Sequence, residues 1–407
     1  MNTAVGGTVH QPRARRANAI AAVWWKEVRE NLRDKRTVMS ALIYAPLFGP
    51  LMFVVLMNVM INREMAKAEG PLKVPVIGAQ YAPNLMKALK QQGLEPQPAV
   101  GDPDAAVRNR DADVVLSIPS GYATAWAKGE PAQVEMIYDA SQNGTSTPRE
   151  RLQGMLKNYI REQGAMRLIA RGLSPGIATP LVVADRDQST PQSRSGLVFG
   201  ILPYFFVIAI FVGGMYLAID LTAGERERQS LEPLFANPVA RWRILVGKLG
   251  AICAFSLASL VLCAIGFAVA GHFMPAEKLG MSFDLGAAFI GRTLLLELPL
   301  LALFAVLQTL VAAFAKSYRE AQTYLSLLMI LPILPSMLMS FMPVKPATWM
   351  YAVPLLGQQI GISELLRGRA IGMGDIGIAL VCGFIATLIA GLITARIYGT
   401  ERLAISA

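Results

Sequence analysis

Residues Thr37 to Ile61 form a run of 25 positions without one charged side chain. At the α-helical rise such a run is roughly 37 Å long, enough to cross the hydrocarbon core of a bilayer with some tilt. Few folds are open to a chain that carries one. Five more apolar runs follow, at 196–219, 244–270, 287–315, 321–342 and 375–397. Hydrocarbon offers no partner to a bare peptide group, so each run must satisfy its own backbone as a helix. The composition agrees, with 54% hydrophobic and 16% charged residues over 407 positions. These features predict an α-helical integral membrane protein of six transmembrane helices. Pro46 and Pro50 fall inside the first span, where neighbouring helices can re-satisfy the freed carbonyls.

Six spans put both termini on one side. Lys and Arg number 17 over the tail 1–36, the loop 220–248, the loop 316–320 and the C-terminal residues 396–407, against 4 in the loops 271–286 and 343–374. Positive charge stays inside, so both termini, including the short tail 398–407, are expected in the cytoplasm of a cell bound by this (inner) membrane. The same dispersal accounts for the net charge of +10 without nucleic acid as a partner. In the basic tail, Ile20, Val23, Trp24 and Val28 recur at helical spacing opposite Lys26, Glu27 and Arg33. That pattern predicts an interfacial amphipathic helix against membrane lipids. A basic flank that merely orients span one is the alternative reading. The tail has no signal-peptide pattern, and span one should remain as an anchor. Cys253, Cys263 and Cys382 read as small buried hydrophobes.

Residues 62–195 differ in kind: 134 positions carry 16 Lys or Arg and 14 Asp or Glu, with the periodicities of a soluble protein. Strand-like runs at Val74–Gly78, Asp113–Pro119 and Gln133–Tyr138 alternate with helical stretches at Ala82–Gly93 and Gly121–Lys128, which predicts an inserted extracytoplasmic α/β domain. Thr147, Pro148 and Glu150 read as a capping-box start for a long helix whose buried face is Leu152, Met155, Leu156, Tyr159, Ile160 and Met166. The domain has no His or Cys. The sequon at Asn143 to Thr145 carries no weight outside a secreted eukaryotic context. Residues 343–374 are too apolar for a free loop and too broken by Pro354, Gly357, Gly361 and Gly368 to cross. A pair of re-entrant or interfacial half-helices fits, and a surface-lying amphipathic helix is the other solution.

Between spans two and three lies a charged island, 220–243, running on to Lys248. Glu225, Arg226, Glu227 and Arg228 place four alternating charges on one helical turn, and Pro233 and Pro238 then break any helix. A short, polar, rigid projection of this kind suits docking to a soluble partner, although an ordinary solvated loop has the same composition. Asp220 reads as its interfacial anchor. The chain has no G-x-x-x-x-G-K-[ST] loop, since Gly247 and Lys248 lack both the earlier glycine and the following hydroxyl, so no nucleotide chemistry is expected here. The two histidines, His10 and His272, are far apart in the sequence, and no catalytic residue is assigned. Glu297, in the fourth span next to Pro299, is costly in hydrocarbon unless it faces the bundle, lies near the outer interface or is protonated. With Gln308 it is the candidate lining of a substrate path. An intramembrane hydrolase would need His or paired Glu in the spans. A mere membrane anchor for an outer binding domain would not need six spans and a docking loop.

The island also carries a resemblance. Glu225, Arg226, Glu227, Leu231, Glu232, Leu234, Pro238, Val239, Gly247 and Lys248 match the run E-(K/R)-E-x-G-T-L-E-x-L-L, then P-V, then G-K, of ABC-2 type permeases. Gln229 and Ser230 stand where that run has Gly-Thr, and Phe235 replaces a Leu. The stretches KEVRENLRDKRT, IPSGYATAWAKGEPAQVEMIYDAS and WMYAVPLLGQQIGISELLRG extend the likeness to the subfamily with a large extracytoplasmic insertion, and within it to sodium-extrusion permeases. The resemblance implies an exporter permease that binds no cofactor itself. Two ATP-binding subunits would hold ATP and Mg, and a second permease copy or a related permease would complete the assembly. It further implies that Glu225, Arg226, Glu227, Arg228, Leu231, Glu232, Pro233 and Leu234 form the coupling element that docks on the ATPase.

Overall fold

The structure is a computed structural model and describes residues 19–141, 146–178, 181, 184, 186–198, 200–230, 239–274, 285–341 and 345–399. The chain divides into two compact units, one of Met1–Leu56 with Gln188–Ala407 and one of Met57–Asp187. Six segments of the described residues are long and apolar enough to cross a membrane.

Helix α1 (Ala19–Arg33) is followed by a turn, Lys35–Val38, capped by Asp34, and by a π-helical stretch, Met39–Tyr44, that leads into α2 (Ala45–Glu69). Asp34 accepts from the Thr37 hydroxyl at 2.7 Å and from the amides of Arg36 and Thr37. The apolar residues of α1 do meet protein: Trp24 and Val28 pack on the cluster of Ala41, Leu217, Leu221, Ala251, Ile252 and Phe255. Pro50 stays inside α2, and its ring lies where a β-carbon on Gly266 would be only 3.0 Å away.

The second unit holds a four-stranded sheet in the order β2-β1-β3-β4. In chain order come β1 (Leu72–Ile77), α3 (Pro83–Gln91), β2 (Leu94–Gln97), α4 (Pro103–Arg108), β3 (Val114–Ser117), α5 (Tyr122–Lys128), β4 (Glu135–Tyr138) and α6 (Ser146–Ala170). β1 pairs in parallel with β2 and β3, while β3 and β4 are antiparallel. Alternation along the strands sends Leu72, Val74, Val76, Val114 and Leu116 to one face, against Leu85, Met86 and Leu89 of α3 and Leu152, Met155, Leu156 and Tyr159 of α6. Val115 faces the other way, with Val107 of α4 and Ile77 and Ile137 beside it. Tyr122, Trp126 and Tyr159 stack in a row, and Arg167 lies 4.1 Å over the Trp126 ring. Of the face expected for α6, Ile160 and Met166 are exposed. Residues 142–145, which include the sequon, lie outside the described set, and α6 is already helical at Ser146, so Thr147 stands inside the helix and not at the cap expected of it.

Returning to the first unit, α7 (Pro191–Val198) precedes α8 (Leu202–Ile219), α9 (Arg241–His272) and α10 (Ala287–Phe314). These last three pack on one another and form the unit's buried centre. Close approach is set by Gly213 and Gly214 of α8: β-carbons there would meet Ser259 Cβ at 2.5 Å and Ile252 Cγ2 at 2.9 Å. The fifth apolar run does not form the single helix expected. It is α11 (Tyr318–Leu328), a turn, then α12 (Ile333–Phe341). Pro332 explains the break, because its ring excludes the carbonyl four residues back, at Leu328, where α11 ends. The stretch before the last span contains α13 (Thr348–Tyr351) and α14 (Leu356–Leu366), and residues Gly357 to Glu364 of α14 are buried against α8, α10 and α15 (Met373–Gly399).

Candidate functional site

The end of α8 runs on as a π-helical segment, Asp220–Gly224, and one α-turn, Glu225–Glu227. The turn then stops earlier than the prolines would require. Gln229 takes φ +55°, its amide donates to the Arg226 carbonyl, and the Ser230 amide donates to the Glu225 carbonyl. This is a Schellman ending, and its left-handed residue is the position that favours glycine. The departure of Gln229 from the Gly of the permease run therefore falls on the one residue here whose backbone prefers Gly.

All four charges of the turn bind within the chain. Glu225 is buried and ion-paired with Lys248 of α9, whose ammonium also donates to the Leu221 carbonyl at 2.9 Å. Half-buried Arg226 donates to the Ala315 carbonyl at 3.4 Å, just past α10. Glu227 is exposed and accepts from the Tyr318 amide at 2.8 Å, where a carboxylate meets the N-terminus of α11. Arg228 is paired with Asp220 at 3.0 Å. The turn is thus tied to α8, α9, α10 and α11 at one level. Leu231, Glu232, Pro233 and Leu234 lie outside the described residues.

One charge of this junction was placed differently by sequence reasoning. Glu27, set by helical spacing among the polar residues of α1, is only 2% exposed. It follows Val23 by four residues and Trp24 by three, so it shares their buried face. Burial pushes its carboxyl above the usual range, and the charges of Lys248 and Lys26 act against that rise. Lys26 sits at 3.3 Å, and the Asn31 side-chain amide donates to the Glu27 carbonyl at 2.9 Å. Gly247 and Gly250 admit α1: β-carbons there would stand 2.8 Å from Val23 Cβ and 3.0 Å from Trp24 Cδ1. The G-K pair at 247–248 therefore makes two contacts, the glycine with α1 and the lysine with the charged turn. Tyr398, at the end of α15, lies close enough to feel both carboxylates. The sequence signal was present in the i, i+4 spacing, but a lone Glu gives no hint that it is buried.

Deeper in the unit, Gln308 of α10 donates to the Phe211 carbonyl of α8 at 2.7 Å, and its Oε1 lies 3.1 Å from where a β-carbon on Gly214 would be. Gln308 is therefore a lock between helices as well as a buried polar group. Glu297 is fully buried, and neither carboxylate oxygen has a hydrogen-bond partner among the described residues. Pro299 stays helical, with its carbonyl accepting from Thr387 of α15 at 3.2 Å. Among the described residues no three His, Cys, Asp or Glu side chains gather as a metal-holding group.

The chain is similar, at 26% identity over 376 residues, to the ABC transporter permease protein NatB of Bacillus subtilis (strain 168), an alignment covering 91% of this chain and 95% of the relative. No solved structure matches it. The family described as ABC-2 family transporter protein matches residues 40–396, nearly the full length. This multi-pass membrane protein belongs to the ABC-2 transporter family.

Proposed function

We propose that the chain is the permease subunit of an exporter, driven by two separate ATP-binding subunits that dock on the segment 220–243. The observation that carries this reading is the tying of the charged turn to four helices by the contacts of Glu225, Arg226, Glu227 and Arg228. A push on an element so held reaches all of them together, which is what rocking a bundle between inward-open and outward-open states requires. Exposed Glu227 and Arg228, with Glu232 beyond them, are the charges that meet the ATPase, while buried Glu225 holds the element in place. Both termini are cytoplasmic, the α/β unit is extracytoplasmic, and α13 and α14 are the half-helices that dip into the membrane. A second permease copy or a related permease completes the assembly.

The cargo in this reading is sodium, from the likeness to sodium-extrusion permeases and to NatB. Membrane vesicles holding the chain and its candidate ATPase provide the test, with ATP hydrolysis and sodium efflux measured for wild type and for Glu227→Ala/Arg228→Ala. ATP-driven sodium movement that is lost in the variant supports both docking and cargo. ATPase activity coupled to the chain without sodium movement keeps the exporter and turns the search to a lipid, a drug or a peptide. Failure of the ATPase to associate with the wild-type chain refutes the reading.

A further inference from the structure

Thr293 and Glu297 stand one turn apart on the same face of α10, about 9 and 15 Å along the helix from its start. Both are buried, at 1% and 0% exposure, and among the described residues Thr293 Oγ1, Glu297 Oε1 and Glu297 Oε2 all lack a partner. For a threonine in a span this is unusual within the chain itself. Thr222, Thr309, Thr387 and Thr394 each donate to the carbonyl four residues back. Thr293 makes no such bond, although the helix supplies the carbonyl. A hydroxyl oxygen and two carboxylate oxygens thus share one stripe of α10 in an apolar interior, and leaving such groups unsatisfied is costly.

Among the described residues no charged side chain is paired with Glu297. Around α10, the charged groups of the packed helices lie toward their ends: Asp220 after α8, Lys248 of α9, Glu364 of α14 with Arg367 and Arg369, and Asp375 and Arg396 of α15, with Arg319 and Glu320 opening α11. The other titratable groups on those helices are Tyr204 and Tyr216 of α8, Arg241, Arg243, Cys253, Cys263 and His272 of α9, Tyr318 and Tyr324 of α11, and Cys382 and Tyr398 of α15, and α10 itself carries exposed Arg292. The carboxylate therefore needs a neutralising partner that the described residues do not provide. A single positive charge does this, whereas a divalent ion would leave a net charge in hydrocarbon. Oxygen donors of this kind suit a hard cation.

We propose that Glu297 and Thr293 form an intramembrane site for one monovalent cation, at which a proton and an alkali-metal ion compete. The inference deepens the path role given above to Glu297, and rests on the exporter reading only for the direction of movement; occupancy is a property of this chain alone. The test is modification of the purified full chain by dicyclohexylcarbodiimide, which attacks protonated carboxyl groups in apolar surroundings, with Glu297 read by peptide mass. The expected result is labelling that falls severalfold as pH rises, and that falls at fixed pH when LiCl, NaCl or KCl replaces choline chloride. Thr293→Val should keep the labelling and lose most of the cation protection. Glu297→Gln should lose the label and also any alkali-ion shift in thermal midpoint. Labelling that no alkali ion reduces, protection that survives in Thr293→Val, or a Glu297 that fails to react even in acid overturns the proposal. Loss of ATPase coupling with cation protection intact would instead refute the exporter reading and leave the site standing.

Discussion

Replacing Lys248 tests the charged junction most directly, because the structure makes the two members of its ion pair unequal. Lys248 is fully buried and answers two carboxylates, Glu225 and Glu27. Lys248→Met leaves Glu225 without its ion-pair partner and Glu27 with Lys26 alone. Stranding a buried charge in this way costs about 3–5 kcal/mol. Glu225→Gln is milder: the amide oxygen can still accept from the ammonium, and Glu27 and the Leu221 carbonyl remain, so the loss should be that of one charge-assisted bond, about 1.5–3 kcal/mol. The double variant replaces an ion pair by neutral groups and should be more stable than Lys248→Met alone, with a coupling of about 0.5–3 kcal/mol. Unfolding of the purified chain in mixed micelles, by SDS titration or by heat, reads all three. The reasoning is refuted if Glu225→Gln is as damaging as Lys248→Met, or if the double variant shows simple additivity.

Three further outcomes are expected. Gln229→Gly relieves a left-handed side chain and should stabilise the chain by up to about 1 kcal/mol, while Gln229→Val should destabilise it, both read by the same unfolding assay. Gly214→Ala drives a methyl against Ser256 Oγ and to within 2.9 Å of Ile252 Cγ2 and should cost about 1–3 kcal/mol, and a paired Ser256→Ala should recover part of it. Asp34→Ala removes a helix cap at about 0.5–2 kcal/mol. The Thr37 hydroxyl holds the Asp34 carboxyl below its ordinary range, so this stabilisation is complete above the unfolded carboxyl range and fades as pH falls through the lower folded value. Wild type and variant should therefore converge in acid.

Much of this architecture is legible in the sequence because hydrocarbon is such a demanding solvent. An uncharged run of span length has one local solution, and the strand and helix periods of the inserted unit stand out against it. β2 and α4 were not anticipated: the strand LEPQ carries a proline and a charge, and α4 is only six residues long. The break in the fifth run was written in Pro332, but proline is tolerated inside α2 and α10, so its presence alone does not decide the matter. At the charged turn, sequence showed that four charges alternate. It could not show that Glu225 closes on a lysine 23 residues away, because that contact depends on how α8 and α9 pack. Nor could it show the burial of Glu27, which requires Gly247 and Gly250 to let α1 approach.

The π-helical segment Asp220–Gly224 sets the rotational phase of everything that follows it. A π-turn holds one residue more than an α-turn. Straightening 220–224 to α-geometry with every residue kept would carry the next turn about 100° around the axis and about 1.5 Å along it. Glu225 would then swing off Lys248, and the ion pair that ties the turn to α9 would be lost. A second such segment, Met39–Tyr44, opens the first span and packs on α8 and α9. Two helices of this bundle thus each carry a spare residue that could be wound in or out, turning the attached polar groups without breaking the apolar contacts above them.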